Sequence, residues 1–198
     1  PVVWLPVVGF PVDERRLTGF LWPNLKTVSN SADGDDVSFS APFYWNQRPQ
    51  SDMLITPKRV AFRGNGLDLR QRHLFEDESR LTLNLGLLPD DDKTQTDREA
   101  AELIWQSKPG QTWAANTYAG YASDAKYNDD IGGDAAVDDE DFPSLRANAT
   151  QRLADQQLDI KTYSYYIANH AKALSDRPYR ELPRINWRVN PSDQAWNT

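Results

Sequence analysis

Between positions 79 and 89 the chain repeats with a period of two. Leu81, Leu83, Leu85 and Leu87 fall on one parity, and Thr82, Asn84 and Gly86 on the other. A strand, whose successive side chains point to opposite sides, turns that spacing into one apolar face, which a helix cannot do. Segment 35–46 does the same, with Val37, Phe39, Ala41, Phe43 and Trp45 against Ser38, Ser40, Pro42, Tyr44 and Asn46. Segment 112–122 puts Trp113, Ala115, Thr117, Ala119 and Tyr121 on one side, and in 158–168 Tyr163, Tyr165 and Ile167 oppose Thr162, Ser164 and Tyr166. The spacing predicts an all-β chain.

Turn-forming clusters divide the chain into strands at roughly 17–28, 37–46, 51–62, 67–75, 80–88, 99–107, 112–122, 146–154, 158–170 and 183–190. An antiparallel meander of about ten strands follows, most of them longer than the ~5 to 6 residues usual in soluble sheets. A tilted strand needs about 9 to 11 residues to cross a bilayer. The breaks at 47–50, 76–79, 108–111 and 155–157 are tight, and those at 29–36, 89–98, 123–145 and 175–182 are mostly longer. Short turns on one side and long loops on the other suit an outer-membrane barrel; the break at 63–66, tight where a long one is expected, is the exception. A soluble carbohydrate-binding β-domain and a generic outer-membrane channel remain as alternatives.

Composition narrows the classes. No run in the 198 residues approaches the ~18 to 20 consecutive apolar residues of a spanning helix, and the mean hydropathy is -0.72. Barrel strands dilute their own hydropathy by alternation, so this excludes membrane helices and not membrane strands. Seven Trp, eight Tyr, seven Phe, 13 Pro and 10 Gly fit many strands joined by turns. With no cysteine, thiol catalysis and thiolate metal sites are excluded within this stretch. The net charge of -7 lies almost wholly in 124–141, where eight acids face Lys126 alone. Nucleic acid as a partner would want a basic stripe, and there is none. The acidic stretch reads as a long solvated loop. The opening PVVWLPVVGF has neither an initiating Met nor a basic leader region, so the sequence reads as the middle of a longer chain. Residues 1–16, with Pro1, Pro6 and Pro11 at a spacing of five, suit an extended connector.

Several segments in order resemble one family. Phe10 to Pro23 resembles a Phe-Pro-x-x-x-Arg-Arg-x-Ser-Gly-Phe-Leu-x-Pro segment, with Thr18 for Ser. Pro42 to Asn46 resembles Pro-Tyr-Tyr-Trp-Asn, with Phe43 for the first Tyr. Thr56-Pro57, Arg63-Gly64 and Leu88 to Asp91 follow in the same order. On these motifs the chain is similar to the LPS-assembly outer-membrane protein (LptD, or OstA) family, clearly over 1–92 and more loosely beyond. Gln71 and His73 depart from it, standing where aromatics are usual.

The resemblance implies an incomplete portion of a large outer-membrane β-barrel at 17–198, with 1–16 ending a periplasmic β-jellyroll. It implies lipopolysaccharide assembly and export into the outer leaflet of a Gram-negative outer membrane, through a lumen and a lateral gate. It also implies an LptE-type lipoprotein plug, a periplasmic LptA-type bridge, outer-membrane lipid as surroundings and a periplasmic N-terminal end. By position, Pro23 and Pro42 map onto the gate: lacking an N–H, each removes a possible ladder hydrogen bond.

Read from the residues, Trp22, Phe43, Trp45, Trp105, Trp113 and Tyr121 are candidate membrane-facing aromatics, near strand ends or on apolar parities. Asn46, Thr82, Asn84 and Asn116 take the opposite parity. Neither 90–93 nor 124–141 has EF-hand spacing, and His73 and His170 stand far apart, so no metal site is expected. No catalytic motif is present, and neither an enzyme nor a cofactor is expected.

Overall fold

In the computed structural model, residues 16–30, 34–107, 112–133, 135, 143–168 and 173–189 are described. Twelve strands form one antiparallel sheet: β1 Gly19–Phe20, β2 Asn24–Asn30, β3 Gly34–Ser40, β4 Phe43–Arg48, β5 Ser51–Val60, β6 Gly64–Leu74, β7 Arg80–Asp91, β8 Thr96–Gln106, β9 Trp113–Ala122, β10 Ser144–Arg152, β11 Gln156–Tyr165 and β12 Glu181–Val189. From β4 to β12 each strand pairs with the next, and the sheet stays open rather than closing into a barrel.

The ten expected strands are all present, two of them in halves. β1 and β2 make up the first, parted at 21–23, and β3 and β4 the second, parted at 41–42. Those two interruptions contain Pro23 and Pro42, so neither proline lies inside a continuous strand as the alternation suggested.

Register gives the sheet two chemically different faces, because directly paired residues share a side. Phe43 pairs with Ile55, Ile55 with Leu69, Leu69 with Leu85 and Leu85 with Ala101. Phe39 pairs with Arg59 in the same frame, so Phe39, Phe43, Leu83 and Leu85 share one face, as the alternation predicts. Gln71 and His73 lie on it too, and Gln71 is satisfied there by donating to Ser51 Oγ at 2.8 Å. On the other face Arg70 pairs with Asn84 and Asn84 with Glu102, and the Asn84 amide donates to Glu102 at 2.7 Å. Asn46, Thr82 and Asn116 share that face with Asn84. Trp45, Leu87, Ile185 and Trp187 remain exposed, and among the described residues no second layer covers the apolar side. No helix among them is long and apolar enough to cross a membrane, which says nothing of strands.

The connections after β4, β6, β8 and β10 leave from one end of the sheet, the turn end. Those after β2, β5, β7, β9 and β11 leave from the opposite, loop end. The break expected at 89–98 is shorter than the sequence suggested. β7 and β8 continue pairing past a bulge to Asp91 and Thr96, leaving only 92–95 as the turn. Asp91 causes this: its carboxylate accepts from the Lys93 amide at 2.9 Å, and its backbone carbonyl accepts from Gln95 at 2.7 Å.

A larger departure concerns 124–141. Its first part is no solvated loop, since 123–133 folds back over the polar face and carries the short helix α1, Tyr127–Asp130. Tyr127 is 1% exposed and packs with Ala100, Ala122 and Ala135, with Ile131 alongside. We refer to 123–133 as the lid. Residues 136–142, like the connector 1–15 and His170, lie outside the described residues.

Candidate functional site

Two places on the sheet hold the candidate functional features, one at its first edge and one beneath the lid. At the edge, Phe20 pairs with Phe43, their rings meeting edge-on with centroids 5.0 Å apart. Beyond the interruption Asn24 pairs with Ser40 and Leu25 with Phe39. Four steps along the first strand therefore match three along the second, which is a β-bulge of one residue at 21–23. The bulge returns Leu25 to the face that Phe20 occupies. Across the interruption the Leu21 N–H donates to the Pro42 carbonyl at 2.8 Å, and the Ala41 N–H donates to the Pro57 carbonyl at 3.1 Å. Pro23, Pro42 and Pro57 thus lie side by side across the first three strands, and none of them can donate to a ladder.

The outer half of this first hairpin is weakly joined to the rest. Only Phe39 and Ser40 of β3 pair with β5. Further out, side chains replace the ladder: Asp36 accepts from the Phe62 N–H at 2.7 Å and Ser38 Oγ from the Ala61 N–H at 3.0 Å. Arg59 adds an exposed ion pair to Asp36 at 3.3 Å. At the inner end, Arg16 reaches Asp52 at 3.3 Å, and the Asn46 side-chain amide donates to the Arg16 carbonyl at 2.7 Å.

Beneath the lid lies a network of charges. Arg98 forks onto Asp124, donating from Nε at 2.8 Å and Nη2 at 2.7 Å. Its Nη1 reaches Asp130 at 2.9 Å and Asp91 at 3.1 Å. Arg63 binds the same two acids, Asp91 at 2.7 Å and Asp130 at 2.8 Å, so that Asp130 is gripped by two guanidiniums. Lys58 pairs with Asp68 at 2.8 Å and donates to the Gly132 carbonyl at 3.0 Å. Asp124 illustrates the balance of forces. Burial, the largest influence, raises its pKa, but the Arg98 fork, the Lys126 N–H and the Ser123 hydroxyl together hold it below the usual 3.8. Burial likewise pushes the Tyr127 phenol up.

Small residues make room for the lid. Asp68 pairs with Gly86, Gly86 with Ala100 and Ala100 with Ala122, and Tyr127 lies over that row. A Cβ at Gly86 would collide with the Tyr127 hydroxyl, and one at Gly133 would come within 2.9 Å of Lys58 Nζ.

The aromatic candidates separate by level. Phe43, Trp45, Trp105, Trp113 and Tyr121 all lie on the apolar face by register, whereas Trp22 sits in the bulge, 74% exposed. Trp45, Trp105 and Trp113 lie toward the turn end, with Trp105 and Trp113 stacked at 6.2 Å. Sequence reading missed Trp187, which belongs with them: Trp113 pairs with Gln151, Gln151 with Leu158 and Leu158 with Trp187. Its parity was legible within 183–190. Tyr121 lies at the loop end against Tyr166, with centroids 5.7 Å apart. The charge network was missed as well, because Lys58, Arg63, Asp91, Arg98 and Asp130 share no sequence spacing.

An open meander of long antiparallel strands, with one exposed apolar face and one charged face partly covered by an infolded loop, is a section of a β-barrel wall. No family model matches the chain, but relatives match it nearly end to end. The LPS-assembly protein LptD of Chromohalobacter salexigens is 29% identical over 100% of this chain, covering 26% of its own length. That of Acinetobacter baylyi is 30% identical over 93% of the chain and 22% of its own length, and that of Pseudomonas fluorescens 32% over 94% and 20%. The chain belongs to the LPS-assembly protein LptD family, and it spans about a quarter or less of the length of the curated relatives it matches.

Proposed function

We propose that this chain forms the first part of the barrel wall of a lipopolysaccharide-assembly protein in the outer membrane of a Gram-negative bacterium. Its polar face lines the path of the sugars, and its first edge is one side of a lateral gate. The observation that carries this is the edge itself: a bulge interrupts the edge strand that a closing last strand would meet, with Pro23, Pro42 and Pro57 across the first three strands, within a chain matched throughout by LptD relatives. A seam short of N–H donors parts at lower cost than a complete ladder, because every unmade backbone bond is expensive in lipid. Pro23 and Pro42 are the gate residues of this reading.

Trp45, Trp105, Trp113 and Trp187 would then mark the periplasmic interface, with Phe43 in the acyl region and Tyr121 toward the outer leaflet. Such girdles suit amphipathic rings. Residues 1–16 would lead in from a periplasmic jellyroll that receives lipopolysaccharide from an LptA-type bridge, and an LptE-type lipoprotein would plug the lumen. The role is transport, with no bond made or broken.

Site-specific photocrosslinking in cells tests the reading. A photoreactive side chain at Asn116, on the polar face, and one at Leu25, beside the bulge, should both capture lipopolysaccharide. One at Leu103, on the apolar face away from the seam, should capture phospholipid instead. Failure at both Asn116 and Leu25, with normal assembly of the protein, would sink the transport reading.

A further inference from the structure

We propose that Lys58, Arg63 and Arg98 form a binding site for the phosphate groups of a phosphorylated saccharide, and that the lid carboxylates Asp124 and Asp130 occupy this site until the ligand displaces them. The class of ligand rests on the transport reading above. The site itself rests on geometry.

Asp130 is held as an anionic ligand would be. One oxygen accepts from Arg63 Nη2 at 2.8 Å and the other from Arg98 Nη1 at 2.9 Å. Two oxygens of a phosphate fit the same pair of guanidiniums, whose planar forks match carboxylate and phosphate alike. Asp124 fills the remaining fork of Arg98. If the lid lifts, Arg98 keeps only Asp91, Arg63 also keeps Asp91, and Lys58 keeps Asp68 while losing the Gly132 carbonyl. Three cations then face two fixed carboxylates, so the uncovered patch turns net positive, whereas the lid's two acids make it net negative. Arg98 is the extreme case: its side chain is 2% exposed under the lid, and lifting the lid strips it of three of its four bonds. Donors so uncovered favour an anion strongly over water alone.

The neighbourhood suits a sugar. Tyr118 lies on the same face four residues before Ala122, roughly 13 Å along β9 at the usual strand rise. Arg146 lies between Tyr118 and Tyr163, its guanidinium carbon 5.4 Å and 5.9 Å from their ring centroids. A guanidinium and two rings further along the face that holds the phosphate clamp offer contacts to a saccharide extending from that phosphate.

Calorimetric titration of the purified full-length protein with inorganic tripolyphosphate tests the site, with sodium chloride at matched ionic strength as the control. Asp124→Asn with Asp130→Asn, which removes the internal competitor, should tighten tripolyphosphate binding at least tenfold. Lys58→Gln with Arg63→Gln should abolish saturable binding. Heat-modifiable gel mobility reports whether each variant keeps its barrel. If the Lys58/Arg63 variant does not fold, the Asp124/Asp130 variant decides alone.

Unchanged affinity in the Asp124/Asp130 variant, or a response to sodium chloride equal to that to tripolyphosphate, overturns the proposal. In a second arm, purified lipopolysaccharide should compete with tripolyphosphate and its dephosphorylated form should not. Tripolyphosphate binding without that competition overturns the saccharide assignment. A protein that crosslinks lipopolysaccharide at Asn116 and Leu25 yet fails this titration loses the phosphate site and keeps the transport reading.

Discussion

Gly86 lies directly beneath Tyr127, and no β-carbon fits between strand β7 and the phenol oxygen. This meeting point fixes how closely the ring approaches the wall, because the rest of the row under it is the small pair Ala100 and Ala122, while the charge network holds the lid's two ends. Gly86→Ala should therefore unseat the lid while leaving the sheet paired, at the ~1 to 3 kcal/mol typical of overpacking. Limited proteolysis near Lys126 reports it: faster cleavage there with unchanged barrel mobility on a gel is the expected result. Cleavage at the parental rate would show that the ring shifts aside without lifting the lid.

The Tyr127 hydroxyl is buried with no hydrogen-bond partner among the described residues. An unmade bond of that kind costs about 1 to 3 kcal/mol. Tyr127→Phe removes the orphan group and keeps the ring, so it should slow cleavage of the lid or leave it unchanged. Accelerated cleavage in this variant would mean that the hydroxyl has a partner.

The pH dependence of the lid follows from Asp124. Its carboxyl titrates below 3.8 in the folded protein. A group depressed on folding stabilises above its unfolded pKa, and that contribution fades as pH falls through the folded value. The lid should therefore stay protected from about pH 8 down to about pH 5 and loosen only in stronger acid. Hydrogen exchange of the 124–132 amides across that range checks it, and loss of protection near pH 6 would contradict the Asp124 anchor.

Two side chains stand in for backbone bonds at the first hairpin, Asp36 to Phe62 and Ser38 to Ala61. Asp36→Ala with Ser38→Ala should free the outer half of β2–β3 from β5, because both substitute acceptors for the Phe62 and Ala61 N–H groups are removed. Faster exchange of the β2 and β3 amides, with β6 and β7 unchanged, is the expected pattern. Uniform protection would place the strength of this edge elsewhere.

Pro23→Ala with Pro42→Ala returns two N–H donors to the first two strands. The bulge persists, since the one-residue offset between Phe20–Phe43 and Leu25–Phe39 remains. The gain is therefore bounded at roughly 0.5 to 1.5 kcal/mol per restored bond. In the full-length protein the double variant should reduce surface lipopolysaccharide and admit large antibiotics, with normal protein levels. Unchanged export would reduce these prolines to ordinary edge residues.

The period of two carried most of the architecture. Leu81 to Leu87 announce a one-faced strand, and the ten strands read from such runs together with the turn clusters between them are present, because alternation is a local property that a sheet preserves pair by pair. Strand ends were less legible. β7 and β8 extend to Asp91 and Thr96 through side-chain and backbone bonds within their own turn, which look polar and loop-like in sequence. The alternation places Pro23 and Pro42 inside continuous strands, and the breaks at 21–23 and 41–42, like the bulge that aligns Phe20 and Leu25, depend on pairing across two strands.

The lid was misread for a physical reason. Asp124 and Asp130 look solvated because nothing near them in sequence except Lys126 is positive. Their partners Arg63 and Arg98 arrive from β6's preceding turn and from β8, dozens of residues away. Local chemistry determined strands, faces and punctuation; only the tertiary structure decided which distant charges meet, because pairing a half-buried carboxylate is a matter of proximity in space.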